Sequence, residues 1–204
     1  IKVFNITPDE LDLEIEINGI SSKTIRVSQR DFKPERLLAP KNIKPAENVN
    51  IMLCTIELNR SKPIKDDPTA ASFRNDLEEW AAITDDILLW DYVIQFQNLV
   101  SPFPNLRVLQ PNLQYFVENH ADKHFQQGNR EVGGEFAEIR AYLISKLLWD
   151  PYLDIDVVMD DFLDGYYGKA GKFIRKYIDD IHDELELSGQ SLNIFGHPAD
   201  AAQS

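Results

Sequence analysis

The first part of the chain alternates apolar and polar positions with a period of two. In the run LDLEIEIN, which covers residues 11–18, every apolar residue is followed by a polar one. This period is typical of a half-buried antiparallel strand, and the runs IKVFNI and KTIRVSQ show similar alternation. We therefore predict a β-rich segment over residues 1–32, either a meander or a hairpin. The proline-containing residues 33–48 predict a connector and a domain boundary.

From residue 49 onward, short apolar runs are separated by segments with helical spacing. Apolar runs over residues 49–56 and 87–90 predict strands, and a third strand with a weaker pattern is predicted over residues 122–125. The run at 87–90, ILLW, has no polar face, so we predict that this strand is buried on both faces. Helical spacing predicts helices over residues 70–83, 109–119, 136–148, 155–166 and 170–185.

Strands and helices that alternate about every 35 residues are typical of parallel βα units. Three such units predict an α/β domain over residues 49–150, either the last three βα units of a TIM-type barrel or a small parallel sheet. A helical C-terminal region is predicted over residues 151–204. A complete barrel requires around 250 residues, whereas this chain has 204. Because a partial sheet leaves open edges, we expect residues 1–32, the C-terminal helices or a second copy of the chain to cover them.

Polar residues follow each predicted strand at its C-terminal end, where parallel α/β folds carry their chemistry. Glu57 follows the first strand, Asp91 the second and Gln126 the third, so we predict that these side chains share one edge of the sheet. The alternative for Asp91 is a carboxylate that caps the strand and hydrogen-bonds the backbone. The alternative for Glu57 is an ion pair with Arg60 or Lys62 in the following loop.

Net charge narrows the range of partners. The chain carries 21 basic and 34 acidic residues, a formal net charge of −13. Nucleic acids and anionic membrane surfaces require a basic face, so neither is an expected partner. No stretch approaches 18 apolar residues, and no membrane-spanning segment is expected. The single cysteine, Cys54, lies in an apolar run, which predicts a small buried hydrophobe.

No metal or other cofactor is predicted. His120 and His124 have the i, i+4 spacing of a helical metal pair. However, the predicted helix ends and the next strand begins between them, and no third ligand is evident. His182 and His197 are predicted to lie at the surface. The glycine pair at 133–134 precedes a helix without the rest of a phosphate-loop motif, so a helix cap explains it better.

Several ordered motifs between Ala39 and about Asp183 resemble a known family. They are APKNIKPAENVNIMLCTIE, LLWDYVIQF, PFPNLRVLQPNLQYF, FQQG, GEFAEIRAYLISKLLWDP and FLDGYYGKA. Together they resemble a large, mostly uncharacterised family of bacterial domains that is glycoside-hydrolase-like and distantly related to alpha-glucuronidases. The resemblance implies the last strands of a catalytic TIM-type barrel, in enzymes that are secreted, periplasmic or at the cell surface. The earlier barrel strands, expected before APKNIKP, are replaced here by the β-rich residues 1–32.

A site that acts on glycans can be assembled from the predicted strand ends. Glycoside hydrolysis uses two carboxyl groups that flank the scissile bond, and Glu57 and Asp91 are the candidate pair, one as base or nucleophile and the other as acid or orienting group. Trp90 and Tyr92 are candidate contacts for the faces of sugar rings. Alternation points Trp90 away from Asp91, which makes core packing its alternative. The other candidate substrate contacts are Arg60, Gln126 and Gln127, and loop polarity is the alternative for the two glutamines.

Two functions of different classes follow from these residues and from the resemblance. The first is a glycoside hydrolase, or the C-terminal portion of one, acting on a polysaccharide or glycan. The second is a non-catalytic carbohydrate-binding or structural module derived from a truncated barrel. A third and weaker hypothesis is an interaction domain that uses its acidic helices and does not bind sugar.

Overall fold

The structure, a computed structural model, describes residues 37–129 and 133–195 together with the backbone of three strands between residues 2 and 28. The chain divides into two compact units, residues 1–37 and residues 38–204. We call them the N-terminal unit and the C-terminal unit. Their division falls inside the segment for which the sequence predicts a connector.

The N-terminal unit contains an antiparallel sheet. Its strands are β1 (Lys2–Thr7), β2 (Glu10–Ile17) and β3 (Ile20–Ser28), in the order β1-β2-β3. Each strand pairs with the next one along the chain, which is the arrangement of a meander. Residues 18–19, an Asn-Gly pair of the kind that forms tight turns, lie outside the described residues.

The C-terminal unit is built on a parallel sheet of three strands. These are β4 (Ile51–Cys54), β5 (Ile87–Tyr92) and β6 (Lys123–Gln127), with β5 in the centre. Both pairings are parallel, as the repeated strand and helix pattern predicts. The central strand is longer than the apolar run suggests, because it continues through Asp91 and Tyr92.

Helices follow the strands and then continue to the end of the described chain. They are α1 (Ala71–Ala81), α2 (Leu106–Glu118), α3 (Ala137–Trp149), α4 (Ile155–Tyr167) and α5 (Gly171–Ser188). Each lies where helical spacing predicts one, with bounds that differ by a few residues. The C-terminal unit is therefore a mixed α/β structure with a small open parallel sheet. No helix among the described residues is long and apolar enough to cross a membrane.

The two faces of the parallel sheet have different surroundings. One face packs into the hydrophobic core beneath the helices, and we call it the covered face; it carries Ile51, Leu53, Ile87, Leu89, Asp91, His124 and Gln126. The other is the open face; it carries Met52, Cys54, Leu88, Trp90, Tyr92, Lys123, Phe125 and Gln127. Met52 is 48% exposed and Phe125 is 47% exposed, whereas Ile87 and Leu89 are fully buried.

The open face corrects two predictions. The strand at residues 87–90 is not buried on both faces, since Leu88 and Trp90 remain half-buried while Ile87 and Leu89 are enclosed. Cys54 is exposed rather than buried, because it lies opposite Trp90 on the open face. The apolar character of Leu88, Trp90 and Cys54 suggests burial, but no layer of the described C-terminal unit packs over that side of the sheet.

The last helices share the core of the sheet. Met159 and Leu163 of α4 and Ile178 of α5 belong to the same buried cluster as the strands.

His182 of α5 is buried as well, so its predicted surface position is wrong. Its Nε2 accepts the backbone N–H of Leu106 at 3.0 Å, and the Asn105 side chain does not cap α2. The imidazole is therefore a cap for the start of α2, where a free N–H needs an acceptor. The other predicted surface histidine, His197, lies outside the described residues.

Candidate functional site

The structure separates the predicted site residues onto the two faces of the parallel sheet. Asp91 lies opposite Gln126 in the register, and Tyr92 lies opposite Gln127. Partners in register point to the same face, and successive residues alternate. Asp91 and Gln126 therefore share the covered face, whereas Tyr92, Gln127 and Trp90 share the open face. The sequence predicts one site at the strand ends, but its members point in opposite directions.

Asp91 is enclosed by hydrogen-bond donors. Its side chain accepts the Thr55 hydroxyl at 2.5 Å and the backbone N–H of Tyr92 at 2.8 Å, both at Oδ1. The residue is only 4% exposed, and Arg60 Nη2 lies 3.8 Å from the same oxygen. A buried carboxylate requires such partners. These contacts match the alternative in which Asp91 hydrogen-bonds the backbone at the end of the strand.

Arg60 is held mainly by backbone carbonyl groups. Its Nε donates to Tyr92 O at 2.7 Å, its Nη1 to Leu58 O at 2.8 Å, and its Nη2 to Thr55 O at 2.5 Å. Burial lowers the pKa of Arg60, and the charge of Asp91 opposes that shift. The guanidinium thus ties the loop after β4 to the end of β5. This fastening role differs from the substrate contact that the sequence suggests for Arg60.

Glu57 does not occupy the position next to Asp91. Cys54 pairs with Trp90, and the Thr55 N–H donates to Trp90 O at 3.1 Å, so Thr55 comes next along β4 and contacts Asp91. Glu57 lies two residues farther on and is exposed. The predicted common edge therefore contains Asp91 and Gln126 but not Glu57. The reason is that β4 ends at Cys54 rather than at residue 56.

Aromatic rings form a continuous series that starts on the open face. The ring centroids are 4.9 Å apart for Phe125 and Trp90, 6.1 Å for Trp90 and Tyr92, 5.9 Å for Tyr92 and Phe96, and 6.1 Å for Phe96 and Phe195. We call these five rings the aromatic row. Phe125 and Phe195 at its two ends are 47% and 57% exposed. The row is therefore an apolar surface that begins on β6 and runs past the C-terminal end of β5.

The Trp90 ring is fixed by a polar neighbour. Its Nε1 donates to Gln127 Oε1 at 2.7 Å, so the indole and the amide are held side by side on the open face. Alternation correctly predicts that Trp90 points away from Asp91. The alternative that follows from it, core packing, does not hold, because the side to which Trp90 points is only partly covered.

The C-terminal tail completes the aromatic row. The backbone N–H of Arg60 donates to Leu192 O at 2.8 Å, and the backbone N–H of Phe96 donates to Ile194 O at 2.8 Å. Ile194 is 1% exposed, which anchors the segment and places Phe195 against Phe96. Helical spacing in the sequence ends at residue 185, and the contact made by this later segment is not predicted from it. The apolar pair at 194–195 within a polar tail is the available signal.

A cavity of about 880 Å³ lies beside β6 and is lined by His124, Gln126, Gln127 and residues of α3. Gln126 Nε2 is buried without a hydrogen-bond partner among the described residues, and neither buried ring nitrogen of His124 meets hydrogen-bond geometry with one. Burial lowers the pKa of His124, and the Asp91 charge opposes that shift. Gln126, a predicted substrate contact, thus lines this cavity from the covered face, and Trp90 and Phe125 of the aromatic row line it as well.

Within residues 37–129 and 133–195, no group of three or more histidine, cysteine, aspartate or glutamate side chains could hold a metal ion. His120 and His124, the pair with helical spacing, differ in environment. His120 is exposed at the end of α2, whereas His124 lies within β6 against the Phe116 ring. The candidate site thus has two parts, the buried hydrogen-bonded group of Thr55, Arg60 and Asp91 and the exposed aromatic row.

A family comparison covers most of this unit. Residues 35–179 match the model of a domain of unknown function, DUF4838. The chain belongs to that family. The matched residues include all three parallel strands, the predicted site residues and the helices as far as α5. Comparisons with curated proteins and with solved structures find no match.

Proposed function

We propose that the C-terminal unit binds carbohydrate through the aromatic row, as a non-catalytic module. The observation that carries this proposal is a series of five rings with consecutive centroid separations between 4.9 and 6.1 Å and with exposed ends. Aromatic faces pack against the apolar faces of sugar rings, and Tyr adds a polar tip. The ring planes meet at angles from 22° for Trp90 and Tyr92 to 89° for Phe125 and Trp90, so the row offers sugar rings several faces in different orientations rather than one flat platform.

Polar groups beside the rings support the same proposal. The Gln127 amide lies next to the Trp90 indole, and the Tyr92 hydroxyl belongs to the next ring along the row. Amides and phenols both donate and accept hydrogen bonds, so they suit sugar hydroxyls. The net charge of −13 disfavours acidic glycans, because like charges repel. Neutral glycans are therefore the proposed ligand class.

Hydrolysis is the less favoured alternative for this unit. It generally requires two carboxyl groups on either side of the glycosidic bond. Asp91 is enclosed on the covered face, whereas Trp90 and Tyr92 are on the open face. Glu57, the candidate second carboxylate, is exposed in the loop after β4. A sugar stacked on Trp90 would consequently have the sheet backbone between itself and the Asp91 carboxylate.

We further infer that the parallel sheet derives from the end of a TIM-type barrel, as the resemblance implies. The parallel strands, the helices over one face and the open opposite face support this origin. In a barrel, the open face would correspond to the interior wall. Secretion or a location at the cell surface is the expectation that accompanies a glycan ligand.

The test is binding to neutral oligosaccharides by isothermal titration calorimetry, with cellohexaose, xylohexaose and mannohexaose as probes and oligogalacturonate as the acidic comparison. We expect at least one neutral probe to bind, and Trp90→Ala to weaken that binding by about tenfold, since ring stacking supplies on the order of 1 kcal/mol beyond area burial. The matched control is Phe173→Ala, which removes an exposed ring of α5 outside the aromatic row.

Two results would contradict the proposal. One is the absence of binding by all the neutral probes. The other is an equal loss of affinity in the Trp90→Ala and Phe173→Ala variants, which would place the sugar elsewhere. Release of reducing sugar by the wild-type chain, lost in Asp91→Asn, would instead favour the hydrolase.

A further inference from the structure

The outer edge of β6 borders the cavity described above. β6 is at the end of the strand order β4-β5-β6. His124 and Gln126 on its covered face line the cavity, and so do Phe125 and Gln127 on its open face. A cavity that is lined from both faces of one strand lies along the backbone edge of that strand, in the plane of the sheet. We call this cavity the β6 trough.

Helix α3 forms the opposite wall of the β6 trough. Ala137, Ala141, Ile144 and Leu148 line it, with the i, i+4, i+7, i+11 spacing of a single helical stripe. These four residues are apolar, and Leu148 among them is 44% exposed, but Glu138, Arg140 and Ser145 of the same helix line the trough as well. In α/β folds, a stripe of this kind packs against strands. Here it faces the free edge of β6 instead.

In the described part of the chain, no strand pairs with the outer edge of the β6 backbone. Gln127 O accepts the Val93 N–H at 3.2 Å, so the Gln127 backbone groups point towards β5. In a parallel strand the backbone groups of successive residues alternate between its two neighbours. The backbone N–H and C=O of His124 and Gln126 therefore point into the β6 trough, as at any sheet edge.

Buried side-chain atoms in the β6 trough point to the chemistry of an occupant. Gln126 Nε2 is buried without a hydrogen-bond partner among the described residues, and neither ring nitrogen of His124 meets hydrogen-bond geometry with one, although the Ala121 backbone acts on the imidazole and opposes the lowering of its pKa. Leaving such atoms unpaired is costly. A neutral imidazole has one donor and one acceptor nitrogen, and the amide nitrogen is a donor. An occupant that offers both donors and acceptors would satisfy all three atoms.

We propose that the β6 trough accepts a fourth strand, an extended peptide segment inserted between β6 and α3. Its backbone pairs with the outward N–H and C=O groups of His124 and Gln126, in the manner of β-strand addition. Alternate side chains are apolar and pack on the α3 stripe, and a hydroxyl or amide side chain lies towards His124. A glycan has no regular row of backbone groups to match a strand edge, so it fits less well.

This proposal does not depend on carbohydrate binding. The fourth strand extends the sheet sideways, next to Trp90 and Phe125, which line the β6 trough and also belong to the aromatic row. The two proposals remain separable, because loss of peptide binding in Ala141→Lys and loss of sugar binding in Trp90→Ala are measured independently.

The test uses the full 204-residue chain and a synthetic peptide, acetyl-Lys-Val-Thr-Val-Thr-Val-Lys-amide. The control peptide has proline in place of the central valine, which removes a backbone donor. Binding is measured by calorimetry and by amide hydrogen exchange. We expect the valine peptide to bind, to slow exchange at the His124 and Gln126 amides, and to bind at least about tenfold more tightly than the proline peptide.

Two variants test whether the peptide binds at the β6 trough. Ala141→Lys places a charge on the exposed wall of the β6 trough and should weaken peptide binding about tenfold or more. Leu187→Lys makes the same change in charge at an exposed position of α5 and should leave it unchanged. Circular dichroism checks that both variants keep their helices, as exposed positions should allow.

Three results would overturn the proposal. The first is no peptide binding up to about 1 mM, or binding that Ala141→Lys leaves intact. The second is a dimer in light scattering that Ala141→Lys dissociates while the peptide does not bind, which would make a second copy the occupant. The third is slowed exchange of the His124 and Gln126 amides by cellohexaose instead of the peptide, which would make the trough a sugar subsite.

Discussion

The covered and open faces of the parallel sheet differ in surroundings much more than in composition. On β5, the covered face carries Ile87, Leu89 and Asp91, and the open face carries Leu88, Trp90 and Tyr92. The carboxylate is among the most enclosed groups of the strand, whereas the indole is only partly enclosed. The comparison indicates that stability resides mainly in the covered face, and that the open face is available for binding.

The largest expected effect comes from replacing, one at a time, two neighbouring leucines of β5 that lie on opposite faces of the sheet. Leu89→Ala removes a fully buried side chain, and we expect the free energy of unfolding to fall by about 3 kcal/mol. Leu88→Ala removes the same atoms from the open face and should cost less than about 1 kcal/mol. Urea unfolding measures both. Equal losses would mean that the open face is enclosed in solution.

The Asp91→Asn variant tests the difference between the two faces at a polar residue of the covered face. The variant keeps the shape of the side chain but removes the charge beside Thr55 and Arg60, so we expect a loss of stability of about 2 kcal/mol. Glycan affinity should not change, because the aromatic row is on the other face. Thermal unfolding and calorimetry on the same variant check both expectations. Unchanged stability with weakened sugar binding would assign Asp91 to the binding site.

A smaller effect is expected from pH, through the cap at the start of α2. Burial holds the pKa of His182 below its ordinary value of 6.5, with Arg107 acting in the same direction and Glu186 and Asp179 against it. The unfolded chain therefore binds this proton more readily than the folded one. The stabilisation by neutral His182 is complete above the unfolded pKa and decreases as the pH falls below about 6.5.

Unfolding experiments between about pH 7 and pH 5 measure this slope. We expect a shallower decrease in stability in His182→Gln than in the wild type. The pKa of His124 is shifted in the same direction and contributes part of the remaining slope. Identical slopes in the wild type and in His182→Gln would argue against a neutral cap.

The smallest effect is expected at Cys54. This exposed residue lies on the open face opposite Trp90, so Cys54→Ser should change the free energy of unfolding by less than about 0.5 kcal/mol. Chemical unfolding provides the measurement, and labelling of the wild-type thiol reports its accessibility. A loss above about 1 kcal/mol, or a thiol protected from labelling, would show that another layer covers this face.

Much of the secondary structure of the C-terminal unit could be predicted from the sequence. The spacing of Phe136, Ile139, Leu143 and Leu147 predicts α3, and three of these side chains are fully buried or nearly so. The apolar runs likewise locate β4 and β5. These predictions succeed because backbone periodicity determines which residues of one element share a side.

The candidate site was predictable only in part. The pairing of Trp90 with Tyr92 on one face follows from alternation alone. The place of Thr55, rather than Glu57, beside Asp91 does not, because it depends on where β4 ends and on its register with β5. The contribution of Phe195 is equally non-local, since about 100 residues separate it from Phe96 along the chain.

By itself, the sequence determined the order of strands and helices, the apolar side of each helix and the acidic character of the chain. Only the tertiary structure decided which side of the sheet is enclosed, which carboxylate is fastened by Thr55 and Arg60, and which rings stand in a row. The physical reason is that residue polarity records how favourable burial would be. Whether burial occurs depends on the neighbours that distant segments bring, and the open face has few of them among the described residues.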